Sequence, residues 1–346
     1  MAGSDEHPGT GDPGDARSDD TDSHALIVRP TTLRRRAERE PLAATPADHS
    51  RRPLPQTTQE NVISTRRKVA KADRADRTAK PAFVARPFAG RVDETDWVAL
   101  REVVPAATAP LTLKGSDVTV TLSTVLPMAW PGMVTVDGRR FLGLQVNSRS
   151  GDASRDLAAV LEQVVAARPG TSVNPTDLPG PGLRLQDLLE DAPIEVTVHD
   201  GFDYWVEGAD DHDGEVAASM ERANASVVPT AKLTNVQSGY WCRMKERTHL
   251  RWVLPEDEDD LLDAMARLGV AGLSLGPSTR YVGSFRAHGL LVPVWDLPLE
   301  TGLEQLEEPA AALRVRLDEA LAMSGSLSED QRRARSGLLS RQLTLR

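Results

Sequence analysis

The chain of 346 residues carries 41 Lys and Arg against 51 Asp and Glu, and its net charge of −10 argues against general nucleic-acid binding. Its one cysteine, Cys242, rules out an intramolecular disulfide and a multi-cysteine zinc site. No apolar run approaches the roughly 18 residues of a membrane span, and the N-terminus lacks the apolar core of a signal peptide, so we expect a cytoplasmic protein without membrane contact.

Charge and aromatic content divide the chain near residue 80. Residues 1–24 hold seven acids and one base, whereas residues 25–80 hold 14 bases and six acids. Every Trp, Tyr and Phe lies at or beyond Phe83. A segment without aromatics buries too little apolar area to offset its chain entropy. We therefore predict a disordered tail over 1–80, acidic over 1–24 and basic over 25–80, followed by a folded region over 81–346.

The basic stretch 25–80 could hold a polyanion through its arginine runs. Six acids dilute these runs, and no aromatic is present to stack on bases, so we expect weak polyanion contact at most. A second possibility is contact within the chain, because residues 81–346 carry a net charge of −12.

The folded region should begin with a helix over Asp93–Val104. Trp97, Leu100 and Val104 recur at helical spacing, and Pro105 ends the run. A pattern of two extended segments and an amphipathic helix then recurs four times. The first unit places Val118–Leu122 and Phe141–Val146 before a helix with Ser154 as a possible cap, and its inward residues are Leu157, Val160, Leu161 and Val164.

The second unit pairs Ile194–Val198 with Phe202–Val206 across Asp200-Gly201, which is a two-residue hairpin signal. A helix near Glu215–Ala225 follows. The third unit pairs Tyr240–Arg243 with His249–Leu254, before a helix that carries Leu261, Leu262, Met265 and Leu268.

The fourth unit pairs Arg280–Ala287 with Leu290–Asp296 across His288-Gly289, before a helix through Leu313, Leu317 and Leu321. Ser328 and Gln331 have capping-box spacing for a last helix. Four hairpin-plus-helix units predict an α+β fold with a mainly antiparallel sheet. The Pro- and Gly-rich stretch near 169–182 could divide the region into two subdomains.

Several stretches carry a family resemblance: 96–102 (DWVALRE), 124–131 (TVLPMAWP), 249–255 (HLRWVLP), and 283–289 (GSFRAHG) leading into 292–298 (VPVWDLP). Together they resemble an actinobacterial family of unknown function over roughly residues 84–346. Some relatives carry an N-terminal zinc motif like the one at the end of the secretion ATPase SecA. This chain has no cysteine before Cys242, so that motif is absent, and the resemblance implies no activity and no catalytic residues.

Cys242 and His249 are the first candidate site. If Met244–Arg247 form a four-residue loop, Cys242 and His249 face each other on adjacent strands, with Cβ atoms ~5 Å apart. The imidazole and nearby Arg251 could then lower the thiol pKa and create a nucleophile. The alternative is structural: Trp241, Leu250, Trp252 and Leu254 would form the buried face and leave Tyr240, Cys242, His249 and Arg251 on a half-solvated one.

Arg286 and Trp295 are the second candidate site. With His288-Gly289 as the turn, they share one face of the hairpin and could stack a ligand or a partner side chain. Tyr281 and Phe285 would lie on the other face, and Pro293 indicates an edge strand or a bulge. The alternative is an amphipathic edge hairpin with one face covered.

Two other stretches carry weaker signals. Asp210–Asp213 lacks the spacing and the terminal Glu of a calcium loop, so a solvated acidic loop is expected. Gly269–Gly276 lacks the Lys-Ser/Thr of a phosphate loop and indicates a helix end. We therefore predict no metal site and no cofactor.

These patterns favour a non-enzymatic binding or adaptor protein with an unknown protein or small-molecule partner. One alternative is a Cys-dependent enzyme that uses Cys242 and His249. Another is a nucleic-acid-associated protein that binds through the basic tail.

Overall fold

A computed structural model of the chain describes residues 82–147, 149–206, 214–244 and 246–344. The predicted tail over 1–80 and the acidic run Asp210–Asp213 lie outside these ranges. The described residues form a mixed α+β fold with two six-stranded sheets, in which all but two of the strand pairings are antiparallel. This confirms the predicted fold class.

The first sheet is built from residues 107–198 in the order β5-β3-β4-β2-β1-β6. The elements of this half and the helix that follows it are α1 Glu94–Glu102, β1 Ala107–Leu111, β2 Val120–Ser123, β3 Gly132–Val134, β4 Arg140–Gly143, α2 Ala153–Ala166, β5 Thr171–Val173, α3 Leu185–Leu188, β6 Thr197–Val198 and α4 Gly214–Asn224.

The first predicted unit is not a hairpin. Its two extended segments, now β2 and β4, are adjacent but parallel, with Leu122 opposite Leu142. A strand that was not predicted, β3, forms the antiparallel hairpin with β4 and pairs Val134 with Arg140. Along the chain, β3 lies between β2 and β4 and adds one reversal of direction. β2 and β4 therefore run in the same direction.

The predicted hairpin across Asp200-Gly201 is also wrong. β6 pairs with β1, and the following residues make a 3-10 turn over Asp203–Trp205. The Trp205 Nε1 atom donates to the Val125 carbonyl at 2.9 Å, and the Phe202 and Trp205 rings stack with centroids 4.4 Å apart. These aromatic contacts favour a compact turn over an extended strand.

Helix α2 forms where the apolar spacing predicted it, with Leu157, Leu161 and Val164 buried. Its cap is Asp152 rather than Ser154, because the Asp152 carboxylate accepts from the Ser154 backbone amide at 3.1 Å. The buried Ser154 hydroxyl instead donates to Gln186 Oε1 at 2.6 Å.

The second sheet is built from residues 230–344 in the order β12-β10-β11-β9-β8-β7. Its elements, with the three helices that follow its hairpins, are β7 Thr230–Lys232, β8 Gly239–Arg243, β9 Thr248–Trp252, α5 Glu258–Gly272, β10 Arg280–Ala287, β11 Leu290–Leu297, α6 Glu304–Ala322, α7 Glu329–Ser340 and β12 Gln342–Thr344. The third and fourth predicted hairpins are confirmed, as is the capping box of Ser328 and Gln331.

Both faces of the second sheet are covered by apolar side chains. One face meets the first core, in which Tyr240, Cys242 and Val292 join residues of α1, α2 and the first sheet. The other face meets the second core, which it shares with α5, α6 and α7; its sheet residues include Leu250, Trp252, Tyr281 and Trp295. The expectation of a half-solvated face around Tyr240 and Cys242 is therefore wrong.

Two details of the fourth hairpin also differ from expectation. A β-bulge between Tyr281 and Gly283 shifts the alternation, so Tyr281 lies opposite Trp295 and shares its face. β11 is an interior strand although it contains Pro293. Its ladder to β9 covers Val294–Leu297 and resumes at the bridge between Leu291 and Leu254, so the proline lies where the ladder is interrupted.

The stretch 169–182 stays with the first sheet. It contains β5, and Arg155 Nε donates to the Gly180 carbonyl at 2.9 Å. The change from one sheet to the other occurs later, between β6 and β7. In the described ranges, no helix combines the length and the apolar content that a membrane crossing requires.

Helix α1 joins the two halves through buried polar groups. Asp96 Oδ1 accepts from Lys232 Nζ at 2.9 Å, from the Ser238 hydroxyl at 2.8 Å and from the Tyr240 hydroxyl at 3.3 Å. At the other end, Arg101 donates to the carbonyls that follow β4, including Leu144. Asp96 therefore fixes α1 to the second sheet, and Arg101 fixes it to the first.

Candidate functional site

A row of polar residues crosses five strands of the second sheet in register. Cys242 lies opposite His249, as the sequence predicted, and Thr230 lies opposite Cys242 on its other side. His249 in turn lies opposite Asp296, which lies opposite Arg280. We call these five residues the cross-strand row. It lies on the face of the sheet that meets the first core.

Side-chain contacts join Thr230 with Cys242, and Asp296 with both His249 and Arg280. The Thr230 hydroxyl donates to Cys242 Sγ at 3.8 Å, and His249 Nδ1 lies 3.0 Å from Asp296 Oδ1. Asp296 Oδ2 accepts from Arg247 at 2.7 Å and from Arg280 at 3.1 Å. His249 Nδ1 and the carboxylate are close but do not meet hydrogen-bond geometry, so Asp296 acts on the imidazole through its charge. A carboxylate beside the imidazole is also the third member of nucleophile–base–carboxylate arrangements, where a hydrogen bond orients the ring.

The electrostatics of Cys242 oppose its use as a nucleophile. Its side chain is 1 % exposed, and burial raises the pKa of the thiol. The positive charge of Arg251 lowers the pKa of the thiol, but by less than burial raises it. The thiol therefore stays protonated at neutral pH, and the thiol is a much weaker nucleophile than the thiolate.

His249 is held in its neutral form as well. Burial is the largest influence and lowers the pKa of the imidazole, while Asp296 raises it and Arg251 and Arg247 lower it further. An activated cysteine usually has a thiolate beside an imidazolium. The row contains the residue types of such a pair but favours the uncharged form of both partners.

Arg286 and Trp295 do not meet. Trp295 is fully buried in the second core, where its Nε1 atom donates to the Leu273 carbonyl at 2.7 Å. Arg286 lies opposite Leu291, further along the hairpin, and its Nε atom donates to Glu258 Oε2 at 2.5 Å. Trp295 and Cys242 belong to different cores, so the predicted site residues do not share one cavity.

An open groove lies beside the turn that joins β8 to β9. It has a volume of about 580 Å³, and its lining residues are Pro229, Arg243, Met244, Leu299 and Glu300. Two hydrogen bonds to main-chain carbonyls fix its walls: the Arg243 amide donates to the Pro229 carbonyl at 2.9 Å, and the Thr248 hydroxyl donates to the Leu299 carbonyl at 3.1 Å. We call this feature the turn groove.

The turn groove presents a positioned cation beside apolar surface. The Arg243 guanidinium lies 4.9 Å from the centroid of the Trp241 ring, and the Trp241 indole donates to the Thr301 carbonyl at 2.8 Å. Leu299 is 46 % exposed, and Glu300 is exposed beside it. Such a surface can take an apolar group while the guanidinium binds a carboxylate or phosphate.

Neither the place of Asp296 beside His249 nor the turn groove was predicted from the sequence. Asp296 belongs to the fourth hairpin, and the pairing of β9 with β11 brings it beside His249 of the third. The groove residues come from three segments, before β7, at the end of β8 and after β11. The Trp-Cys-Arg sequence at 241–243 places Trp241 and Arg243 on one face of a strand. This spacing was the one sequence feature that could have indicated the stacked arginine of the groove.

Within the described ranges, no three His, Cys, Asp or Glu side chains are grouped so that they could hold a metal ion. Comparison with curated proteins and with solved structures finds no match. The model of a family of unknown function (DUF5926) matches residues 87–346, which include the cross-strand row and the turn groove. The chain therefore belongs to this family of unknown function.

Proposed function

We propose that the folded region is a non-catalytic binding protein and that the turn groove is its ligand-binding surface. The observation that carries the proposal is the Arg243 guanidinium, stacked on Trp241 and exposed beside Leu299. A side chain that is already held in place loses less conformational entropy when a ligand binds. The buried, protonated thiol of Cys242 weighs against the catalytic alternative.

The lining of the turn groove suggests the chemistry of the ligand. Pro229, Met244 and Leu299 offer apolar surface, while Arg243 and Glu300 offer opposite charges. An extended peptide segment with an apolar side chain next to a carboxylate would satisfy the apolar wall and the guanidinium together. We place this function in the cytoplasm.

Substituting one groove residue should weaken partner binding. The full-length chain is immobilised and exposed to a lysate of the organism that encodes it, and bound proteins are quantified by mass spectrometry. Leu299→Asp places a charge on the apolar wall, and Arg243→Glu reverses the held cation. We expect each substitution to reduce recovery of the specific partner at least about tenfold, which corresponds to about 1.4 kcal/mol of binding free energy.

Val315→Asp is the matched control, because Val315 is also an exposed apolar residue, at 57 %, but lies on α6 outside the groove. It should retain the partner at the level of the unmodified chain. Equal recovery by all four proteins, or no specific partner on any of them, would contradict the proposal.

A Cys-dependent enzyme is the second candidate function. The cross-strand row supports it, because His249 lies opposite Cys242 and its Nδ1 atom is 3.0 Å from the Asp296 carboxylate. This function would require the site to open, so that Cys242 becomes accessible and loses its proton. The reactivity of the thiol decides between the two functions.

Weak polyanion contact through residues 25–80 is a third proposal, which rests on the excess of eight bases in that stretch. The stretch lies outside the described residues, so the support comes from its charge alone.

A further inference from the structure

The outer edge of the second sheet is occupied by a short strand. β12 pairs with β10 in parallel through Ser284 and Gln342, Phe285 and Leu343, and Arg286 and Thr344. β10 pairs with β11 on its other side through seven residue pairs. Short edge elements with few partners are the ones that open at the lowest free energy. Of the two strands that pair with β10, β12 is therefore the more easily displaced.

A side-chain clasp holds β12 in place. Gln342 Nε2 donates to Glu258 Oε1 at 2.8 Å, and Gln342 Oε1 accepts from Arg286 Nη2 at 3.1 Å. Glu258 and Arg286 also form an ion pair. The amide side chain of Gln342 therefore hydrogen-bonds both to a carboxylate on α5 and to a guanidinium on β10.

The backbone of β10 is shaped to admit a strand at this point. A Cβ atom on Gly283 would overlap the carbonyl of Arg341, the residue before β12. The Ser284 amide donates to that same carbonyl at 3.4 Å. Glycine at 283 therefore provides the space in which the incoming strand approaches β10.

We propose that the β10 edge is a strand-acceptor site for an extended peptide that runs parallel to β10 and carries an amide side chain at the position of Gln342. β12 is the occupant from the same chain, and a partner segment of this chemistry exchanges with it. Edge strands present unpaired amides and carbonyls that template the addition of another strand. Arg286, with Glu258, then recognises the amide of the added strand. This site is separate from the turn groove and does not depend on it.

Competition between β12 and an added peptide gives the test. A fluorescent peptide with the sequence of residues 341–346 is titrated with the full-length chain, and binding is followed by anisotropy. Leu343→Pro in the chain removes a main-chain donor and weakens β12 in its own site. The apparent Kd of a site falls as the fraction of open site rises, so we expect the variant to bind the peptide at least about tenfold more tightly than the unmodified chain does.

Three controls make the result specific. A peptide with Leu in place of the amide residue should bind more weakly, and Gly283→Val in the Leu343→Pro chain should abolish binding. Gln342→Ala, which removes only the clasp, provides a milder second variant that should also bind more tightly than the unmodified chain. Equal affinities for the unmodified chain and both opened variants, no binding to any of them, or binding that survives Gly283→Val would overturn the proposal.

Discussion

Replacing Asp96 by alanine should lower the free energy of unfolding by about 3–5 kcal/mol, because it removes a buried carboxylate from two buried hydroxyls and from the partly buried Lys232 ammonium. Asp96 is 4 % exposed and accepts from Lys232, Ser238 and Tyr240. The substitution leaves these donors without their shared acceptor. Because Asp96 is the buried anchor between α1 and the second sheet, we expect the change to weaken the junction between the two halves of the fold.

Urea unfolding of the full-length chain measures this effect. Asp96→Asn keeps an acceptor oxygen but loses the charge, so its cost should be smaller than that of Asp96→Ala. Asp117→Ala is the matched control, since Asp117 is exposed, and should change stability by less than about 0.5 kcal/mol. A cost below about 1 kcal/mol for Asp96→Ala would show that the network does not hold α1 in place.

Replacing Trp295 by alanine should cost about 3–5 kcal/mol as well, for a different reason. Its indole is fully buried, with ring centroids 5.7 Å from Tyr281 and 6.3 Å from Trp252. Alanine would leave a cavity in the second core and an unpaired Leu273 carbonyl.

Trp295→Phe separates the two contributions, because it fills most of the cavity but cannot donate to the Leu273 carbonyl. Its cost should lie between zero and that of Trp295→Ala in the same urea experiment. If Trp295→Ala left stability unchanged and reduced partner binding instead, Trp295 would belong to a ligand surface, as the sequence first suggested.

The sequence predicted best where turn chemistry and alternation agree. His288 and Gly289 both have positive φ, at 47° and 79°, as a two-residue hairpin turn requires, and the register of the fourth hairpin follows from it. The same reasoning placed Cys242 opposite His249. It failed at Asp200-Gly201, because pairing of β6 with β1 and the packing of Phe202 on Trp205 outweigh the local turn signal.

Burial on the second face of a sheet could not be predicted from alternation. Tyr240 and Cys242 share a face with the polar residues Arg251 and His249 and were therefore predicted to be half-solvated, yet residues of α1, α2 and the first sheet share the core that covers them. Alternation describes one strand, whereas covering depends on elements that lie far away in sequence. For the same reason, the pairing of His249 with Asp296 emerged only from the order of the strands.

The bulge between Tyr281 and Gly283 shows a third limit. One extra residue reverses the alternation beyond it, and this moved Tyr281 from its predicted face to the face of Trp295. Gly283 was a possible signal, because glycine inside a strand often marks a bulge or a close backbone approach. In β10, Gly283 marks both the bulge and the close approach of the Arg341 carbonyl.

The choice between binding and catalysis depends on the state of Cys242, and the pH dependence of its alkylation tests that state most directly. The native full-length chain is treated with iodoacetamide over a range of pH, and the urea-unfolded chain gives the reference rate for the single thiol. We expect the native thiol to react at least about 100-fold more slowly than the unfolded one, with an apparent pKa above the ordinary thiol value of about 8.5. Rapid native alkylation with a pKa below about 7.5, shifted upward by His249→Ala, would contradict the account and assign the cross-strand row to catalysis.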